Sequence, residues 1–182
     1  MKNKKLIIAC IIVIVAGILA SVYYKKSDKA EIPALDNGYL QTRIDGDLYA
    51  AKGQKLERLY YSAGTIQREE VKASRVPQGD SFYSFLGAYG NRLVSAYEAS
   101  PVIEIFESNR RGAIISSVYS IDLGEVGLDK IMINDGKLLY VFYTEERHTP
   151  TFYYVLDLAQ ESLIEKQIER EEWYQLAGIP AP

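Results

Sequence analysis

The chain has 182 residues, of which 48% are hydrophobic, and its formal net charge is −3 at neutral pH. Residues 30–182 hold 15 Lys and Arg against 23 Asp and Glu, a net charge of 15 − 23 = −8. This charge argues against nucleic acid and anionic lipid surfaces as partners of that region. The single cysteine, Cys10, excludes a disulfide scaffold and a thiolate metal site.

The first predicted element is a transmembrane helix. Residues 6–22 form an uncharged apolar run that is followed by two tyrosines and has lysines on both sides. As a helix, the run and its tyrosines would span about 28 Å, close to the thickness of the hydrocarbon core of a bilayer. We therefore predict a signal anchor within residues 1–26 that contacts the lipid bilayer through residues 6–24. A cleaved signal peptide and a lipoprotein modified at Cys10 are the alternatives.

The orientation of this helix follows from its short amino-terminal tail. The lysines before and after the run are too evenly balanced to decide the orientation by themselves. A very short tail usually stays inside, so we expect a single-pass protein with its amino terminus in the cytoplasm. Residues 27–38 are polar, with one Pro and one Gly, and are predicted to be a linker. Residues 39–182 would then form an extracytoplasmic domain.

A pair of turn-forming residues recurs along this domain. The three pairs are Asp45-Gly46, Gly90-Asn91 and Asp135-Gly136, which lie 45 residues apart (90 − 45 and 135 − 90). Such pairs tolerate the positive φ angles of two-residue hairpin turns. At equivalent offsets they are followed by Leu48, Leu93 and Leu138. The spacing predicts three repeats, each beginning with a hairpin.

The runs between the turns are rich in Tyr, Val, Ile, Leu and Phe, the residues that favour strands. A unit of four short strands with this period resembles the blade of a β-propeller, in which repeats run to about 40–50 residues. The resemblance covers residues 39–169, and without a Trp-Asp or kelch signature it implies no functional residue. We predict an all-β domain of three antiparallel meander repeats; a β-sandwich with recurring hairpins is the alternative.

The number of repeats bears on assembly. Closed propellers have about 4–8 blades, so three units would leave two sheet ends uncovered. The domain could keep open ends, be completed by other chains, or belong to a longer reading frame. We therefore expect a protein partner or a homo-oligomer.

The carboxy-terminal segment, residues 162–177, has features of both a strand and a helix. Ser162 and Glu165 have the spacing of a helix capping box. The repeat alignment instead favours a strand over Leu163–Ile168. We expect the strand first and a helix from about Glu169 onward.

No motif for catalysis is found in the chain. The only histidine, His148, lies in a polar segment, and neither Gly-x-Ser-x-Gly nor Gly-x-Gly-x-x-Gly occurs. We therefore predict no catalytic, cofactor-binding or metal-binding residue and no cofactor.

Two features are candidates for binding. The third repeat is longer than the others by about five residues, and an insertion in one repeat often marks a binding face. That segment supplies a candidate partner-binding loop of Glu145, Glu146, Arg147 and His148, with neutral loop variation as the alternative. Tyrosine offers apolar area and a polar tip, as interfaces require. The candidate interface tyrosines are Tyr60, Tyr61, Tyr153 and Tyr154.

Taken with the anchor, these features predict a membrane-anchored, non-enzymatic binding or assembly module that presents a β-repeat surface outside the cytoplasmic membrane. An envelope hydrolase that uses carboxylates assembled by the fold is an alternative. A protein with an immunity or sensor function is a further alternative.

Overall fold

A computed structural model describes residues 31–74, 81–98, 102–108, 114–123, 127–143, 150 and 152–181 of the chain. The predicted membrane segment, residues 6–24, and the predicted binding loop, Glu145 to His148, lie outside these residues. No helix among the described residues has the length and apolar character needed to cross a bilayer.

Twelve strands in the described residues form three four-stranded sheets, each an antiparallel meander of consecutive strands. Sheet A contains β1 (Leu40–Ile44), β2 (Asp47–Lys52), β3 (Lys55–Ser62) and β4 (Thr65–Glu70). Sheet B contains β5 (Tyr83–Tyr89), β6 (Arg92–Tyr97), β7 (Val102–Ser108) and β8 (Ile114–Asp122). Sheet C contains β9 (Gly127–Asn134), β10 (Lys137–Tyr143), β11 (Phe152–Asp157) and β12 (Glu165–Ile168), and helix α1 (Arg170–Ala177) follows it. The three predicted meander repeats are confirmed, and the alternative of a sandwich of two sheets is wrong.

The repeated turn pairs join the first two strands of each sheet. Asp45 and Gly46 both have positive φ, at 53° and 90°. Asp135 and Gly136 do as well, at 44° and 73°, which is the pattern of a type I′ hairpin turn. In the middle pair Gly90 has a φ of 57° and Asn91 is not left-handed, which is the pattern of type II′. The backbone therefore confirms the predicted two-residue hairpins.

The three sheets stack face to face in chain order. One buried cluster joins sheets A and B and includes Tyr49 and Phe106, and a second joins sheets B and C and includes Ile105 and Leu138. Phe106 and Ile105 are neighbours on β7 and point to opposite faces, so both faces of sheet B are buried. The first strands, β1, β5 and β9, each lie at one edge of their sheet, and β5 contacts both β1 and β9.

The outer face of sheet A is covered by residues 31–39. Ile32 is 1% exposed and packs in a cluster with Leu48 and Leu59. The Leu35 N–H donates to Gln41 Oε1 (2.9 Å), and Gln41 Nε2 donates to the Leu35 carbonyl (3.0 Å). Arg43 also donates to the carbonyl of Ile32. The described part of the predicted linker, residues 31–38, is therefore packed onto the sheet, because its two large apolar residues outweigh its polar composition.

The outer face of sheet C is covered by α1. Trp173 has no exposed surface and packs with Leu139, Val141 and Tyr153 of the sheet. The helix ends at Ala177 and is followed by Gly178, which has the left-handed φ of 70° expected after a helix terminus. A strand followed by a helix confirms the predicted order in residues 162–177. The expectation of two uncovered sheet ends is wrong, because each outer face has a buried cluster beneath its own cover.

Candidate functional site

The first strands of sheets B and C each contain an extra residue relative to the strand with which they pair. The ladder between β5 and β6 skips Ser84, and the ladder between β9 and β10 skips Asp129. These two residues are 45 apart (129 − 84), so they occupy the same position in successive repeats. Bulges of this kind redirect side chains and are frequent beside binding and active sites.

Both bulged residues line one cleft of about 700 Å³, within the size range of small-ligand sites. The cleft is bounded by β5, β9, α1 and the segment that follows α1. Its lining residues are Ser84, Phe85, Glu98, Leu128, Asp129, Lys130, Ile131, Met132, Trp173 and Ile179.

The wall that β9 contributes is the edge of the strand. Five consecutive residues, 128–132, line the cleft. Successive side chains of a strand point to opposite faces, so a wall made of consecutive residues is an edge and not a face. Among the described residues β9 pairs only with β10, which leaves this edge without a neighbouring strand.

At their other end β5 and β9 come close together. A β-carbon on Gly87 would lie 2.9 Å from Cδ1 of Ile133, so these two strands meet at a position that only glycine fits without rearrangement. One step further on, a β-carbon on Gly136 would lie 2.8 Å from Cζ of Tyr89. The strands therefore converge toward their carboxyl ends and diverge toward the bulged ends, where the cleft opens.

The cleft combines an apolar floor with a polar rim. Phe85 and Ile131 are half-buried, whereas the side chains of the rim are exposed. The rim consists of Ser84, Glu98, Asp129 and Lys130. Trp173 is fully buried, and its indole N–H has no acceptor among the described residues. This lining is suited to a ligand with an apolar body and a polar or cationic periphery.

The four tyrosines predicted as an interface lie in two separate places. Tyr60 and Tyr61 are in sheet A, and sheet B separates them from the other pair. Tyr153 is 8% exposed and meets the Trp173 ring edge-on, with 6.1 Å between ring centroids. Tyr154 stacks on Tyr140, with centroids 5.4 Å apart. Tyr61 is 38% exposed, so of these tyrosines it presents substantial surface to solvent.

A buried carboxylate lies between sheets A and B. Glu104 is fully buried on the face of β7 opposite to Ile103, and the backbone N–H and hydroxyl of Ser74 donate to its Oε1 (3.0 and 2.5 Å). Nearby, Tyr83 stacks on Tyr97 with centroids 4.3 Å apart, and burial together with their hydrogen bond raises the pKa of Tyr83. These contacts tie the chain segment that follows sheet A to sheet B, which is a structural role.

A buried arginine links sheets B and C. Arg92 is 6% exposed, and its Nη1 donates to the carbonyls of Leu158 (2.8 Å) and Gln160 (2.5 Å). Its Nε donates to Glu107 of the neighbouring strand (3.2 Å). The guanidinium thus holds the loop between β11 and β12 against sheet B, where its several donors are satisfied at once.

The sequence contains little signal for the cleft. Ser84 and Asp129 follow apolar residues and belong to no turn pair, and the nearby glycines Gly87 and Gly127 do not by themselves mark a bulge. Their spacing of one repeat is the one available clue, and it becomes informative once the strands are known. No protein-family model matches the chain, and no curated protein matches it. The interpretation of the cleft therefore depends on its own geometry.

Proposed function

We propose that this chain is a membrane-anchored, non-enzymatic binding module that holds its ligand in the cleft between β5 and β9. One observation carries the proposal. Successive repeats place a bulged residue at the same position, and both residues, Ser84 and Asp129, open onto the same cleft. A bulge disrupts the pairing of two strands and is frequent beside binding sites. The same bulge in two successive repeats, at one cleft, therefore favours a binding site there.

The remainder of the fold supports a binding role through rigidity. Buried clusters join each sheet to the next and to its cover, so the two walls of the cleft belong to one packed body. A preorganised site loses little conformational entropy on binding. The module would be displayed outside the cytoplasmic membrane by the helix predicted for residues 6–24.

Site-specific photocrosslinking in intact cells tests the binding site. A benzophenone amino acid placed at Ser84 or Asp129 of the full chain should form an adduct with the ligand. The matched control is Gln67, an exposed residue of β4 that is remote from the cleft. Equal adducts at all three positions, or none at Ser84 and Asp129, would contradict the proposal.

The orientation needs its own test. A Gln67→Cys variant of the full chain should react with a membrane-impermeant maleimide in intact cells, and the parent chain, whose only cysteine is Cys10, is the control. Reaction of the variant only after lysis would show that the domain faces the cytoplasm.

One observation favours the alternative function of an envelope hydrolase: Glu98 and Asp129 line the same cleft. Hydrolysis by a carboxylate pair requires both groups. Release of soluble fragments from purified envelope polymers by the full chain, and its loss in Glu98→Gln and Asp129→Asn alike, would favour the enzyme. Crosslinking at the cleft without such release favours the binding module. The immunity and sensor alternatives stay predictions from the sequence.

A further inference from the structure

We infer that the cleft binds an extended, apolar and basic polypeptide segment, which adds as a strand to the free edge of β9. This inference rests on the proposed function, since it specifies the ligand of the same cleft. Its basis is the alignment of backbone groups, apolar floor and charge along one strand edge.

The register of β9 shows which backbone groups face the cleft. Asn134 lies opposite Lys137 across a two-residue turn, and the pair that flanks such a turn is hydrogen-bonded. Pairs alternate along an antiparallel ladder, so Met132 bonds to β10 whereas Ile131 and Ile133 do not. The N–H and C=O of Ile131 and Ile133 therefore point away from β10, toward the open edge.

The geometry of the cleft selects Ile131 as its centre. Ile133 lies where β9 meets Gly87 of β5, so its backbone is near the closed end. Ile131 lies among the five consecutive residues that line the open part. An unpaired N–H and C=O on an accessible strand edge is a template for another strand. Across the cleft, β5 is also an edge strand, so an entering segment would lie between two edges.

The lining indicates the side chains of the segment. Phe85 and Ile131 lie on the side of the cleft that faces sheet B, and they favour apolar side chains on that face of the bound strand. The rim has two carboxylates, Glu98 and Asp129, against one ammonium, Lys130. Residues 30–182 as a whole have a net charge of −8 (15 − 23). A bound strand that alternates apolar and basic residues would match both the apolar floor and the negative charge of the rim.

Two synthetic peptides of about ten residues, a common strand length, serve as probes. One alternates valine with lysine and the other alternates valine with glutamate, and each has a fluorophore at one end. Anisotropy is measured against the full chain in detergent at physiological salt. The lysine peptide should bind more tightly than the glutamate peptide by about tenfold or more.

A pair of variants separates backbone pairing from side-chain contact. Ile131→Pro removes the N–H that faces the cleft, and it leaves the hydrogen bonds between β9 and β10 intact. Edge strands tolerate proline at such a position. Ile131→Ala removes the same side chain but keeps the N–H. The lysine peptide should bind Ile131→Pro more weakly than Ile131→Ala by about tenfold, as expected for a lost backbone hydrogen bond and a displaced strand. Circular dichroism checks that both variants are folded.

Amide hydrogen exchange of the parent chain provides a readout that needs no variant. The lysine peptide should slow exchange in residues 127–134 and leave β4 unchanged. This measurement decides the question if Ile131→Pro does not fold. If exchange in residues 127–134 slows without peptide as the protein concentration is raised, the occupant is a second copy of the chain. That result would overturn the inference.

The remaining outcomes separate this inference from the proposed function. Equal binding to Ile131→Pro and Ile131→Ala, or no binding of either peptide while Ser84 and Asp129 still crosslink to a ligand, would overturn strand addition and leave the binding cleft in place. Failure of crosslinking at both positions would remove the proposed function itself. Selective binding of the lysine peptide that depends on the Ile131 N–H supports both.

Discussion

The outer face of sheet A is covered by an extended segment, residues 31–39, whereas the outer face of sheet C is covered by a helix, α1. Both covers bury apolar side chains that the sheet would otherwise expose. They differ in how they are held. Residues 31–39 contain no helix or strand and depend on a few hydrogen bonds, such as those between Leu35 and Gln41. The helix has its own backbone hydrogen bonds and inserts a fully buried tryptophan.

The repeat explains why an extended segment and a helix both cover an outer sheet face. The leucine after each turn points to the preceding layer: Leu93 packs toward sheet A and Leu138 toward sheet B. Among the described residues no sheet precedes sheet A, and Leu48 packs against residues 31–39 instead. Each cover thus takes the place of a missing neighbouring sheet. A stack of three repeats can therefore bury its ends without closing into a ring.

The largest expected effect is at the helical cover. Trp173→Ala should lower the free energy of unfolding by about 3–5 kcal/mol, because the side chain is fully buried between α1 and sheet C. That is a large part of the total stability of an ordinary domain, about 5–15 kcal/mol. Urea unfolding of the full chain in detergent, followed by far-ultraviolet circular dichroism, measures it. Glu172→Ala, at an exposed position on the same helix, is the control. A loss no larger than that of the control would show that α1 does not stabilise sheet C.

The extended cover should contribute less. Ile32→Ala should cost about 2 kcal/mol, at the lower end for a buried isoleucine, since a short segment without regular structure can shift to fill the space. The same unfolding measurement applies, with the exposed neighbour Asp36→Ala as the control. If Ile32→Ala destabilises as much as Trp173→Ala, the two covers are equivalent and the comparison between them does not hold.

The turns of the two terminal sheets provide a third comparison. Gly46→Ala should cost about 1 kcal/mol, because alanine is strained at the φ of 90° observed there. Gly136→Ala should cost more, up to about 3 kcal/mol, because the new methyl group would also displace the ring of Tyr89 in sheet B. Thermal unfolding of both variants tests this order. Equal shifts of Tm would mean that the Tyr89 ring moves without cost.

The smallest expected effect concerns acid pH at the end of the stack that α1 covers. A hydrogen bond from the Ala159 N–H, and then the contact with Lys137, lower the pKa of Asp157 below its ordinary value of 3.8. The ionised group therefore stabilises the folded chain above that value, and the contribution is lost as the pH falls through the lower pKa of the folded state. The effect should stay below about 1 kcal/mol because the group is partly exposed.

The Asp157→Asn variant isolates this contribution. Its urea midpoint should lie slightly below that of the parent chain at pH 7, and the difference should shrink as the pH is lowered below 4. A difference that is constant with pH would show that the loss is not electrostatic.

Much of the fold was accessible from local patterns, and little of the cleft was. Turn pairs such as Asp135-Gly136 specify a positive φ by their residue types, so the hairpins and the repeat could be predicted from them. Composition predicts a linker for residues 31–38 and cannot show that the segment packs onto sheet A, because Ile32 and Leu35 are its only large apolar residues. Glu104 gave no sign of burial either, since in an alternating strand a polar residue ordinarily faces solvent. It is buried because sheet B has a neighbour on each side.

The sequence by itself determined the three meanders, their period and the helix at the end, because turn chemistry and strand-forming residues act over a few neighbouring residues. Only the tertiary structure decided that the ends are covered, that both faces of sheet B are buried, and that Ser84 and Asp129 meet at one cleft. Those features depend on which sheets face each other and on one extra residue in a ladder. Contacts between residues distant in the chain set them, and no local pattern encodes such contacts.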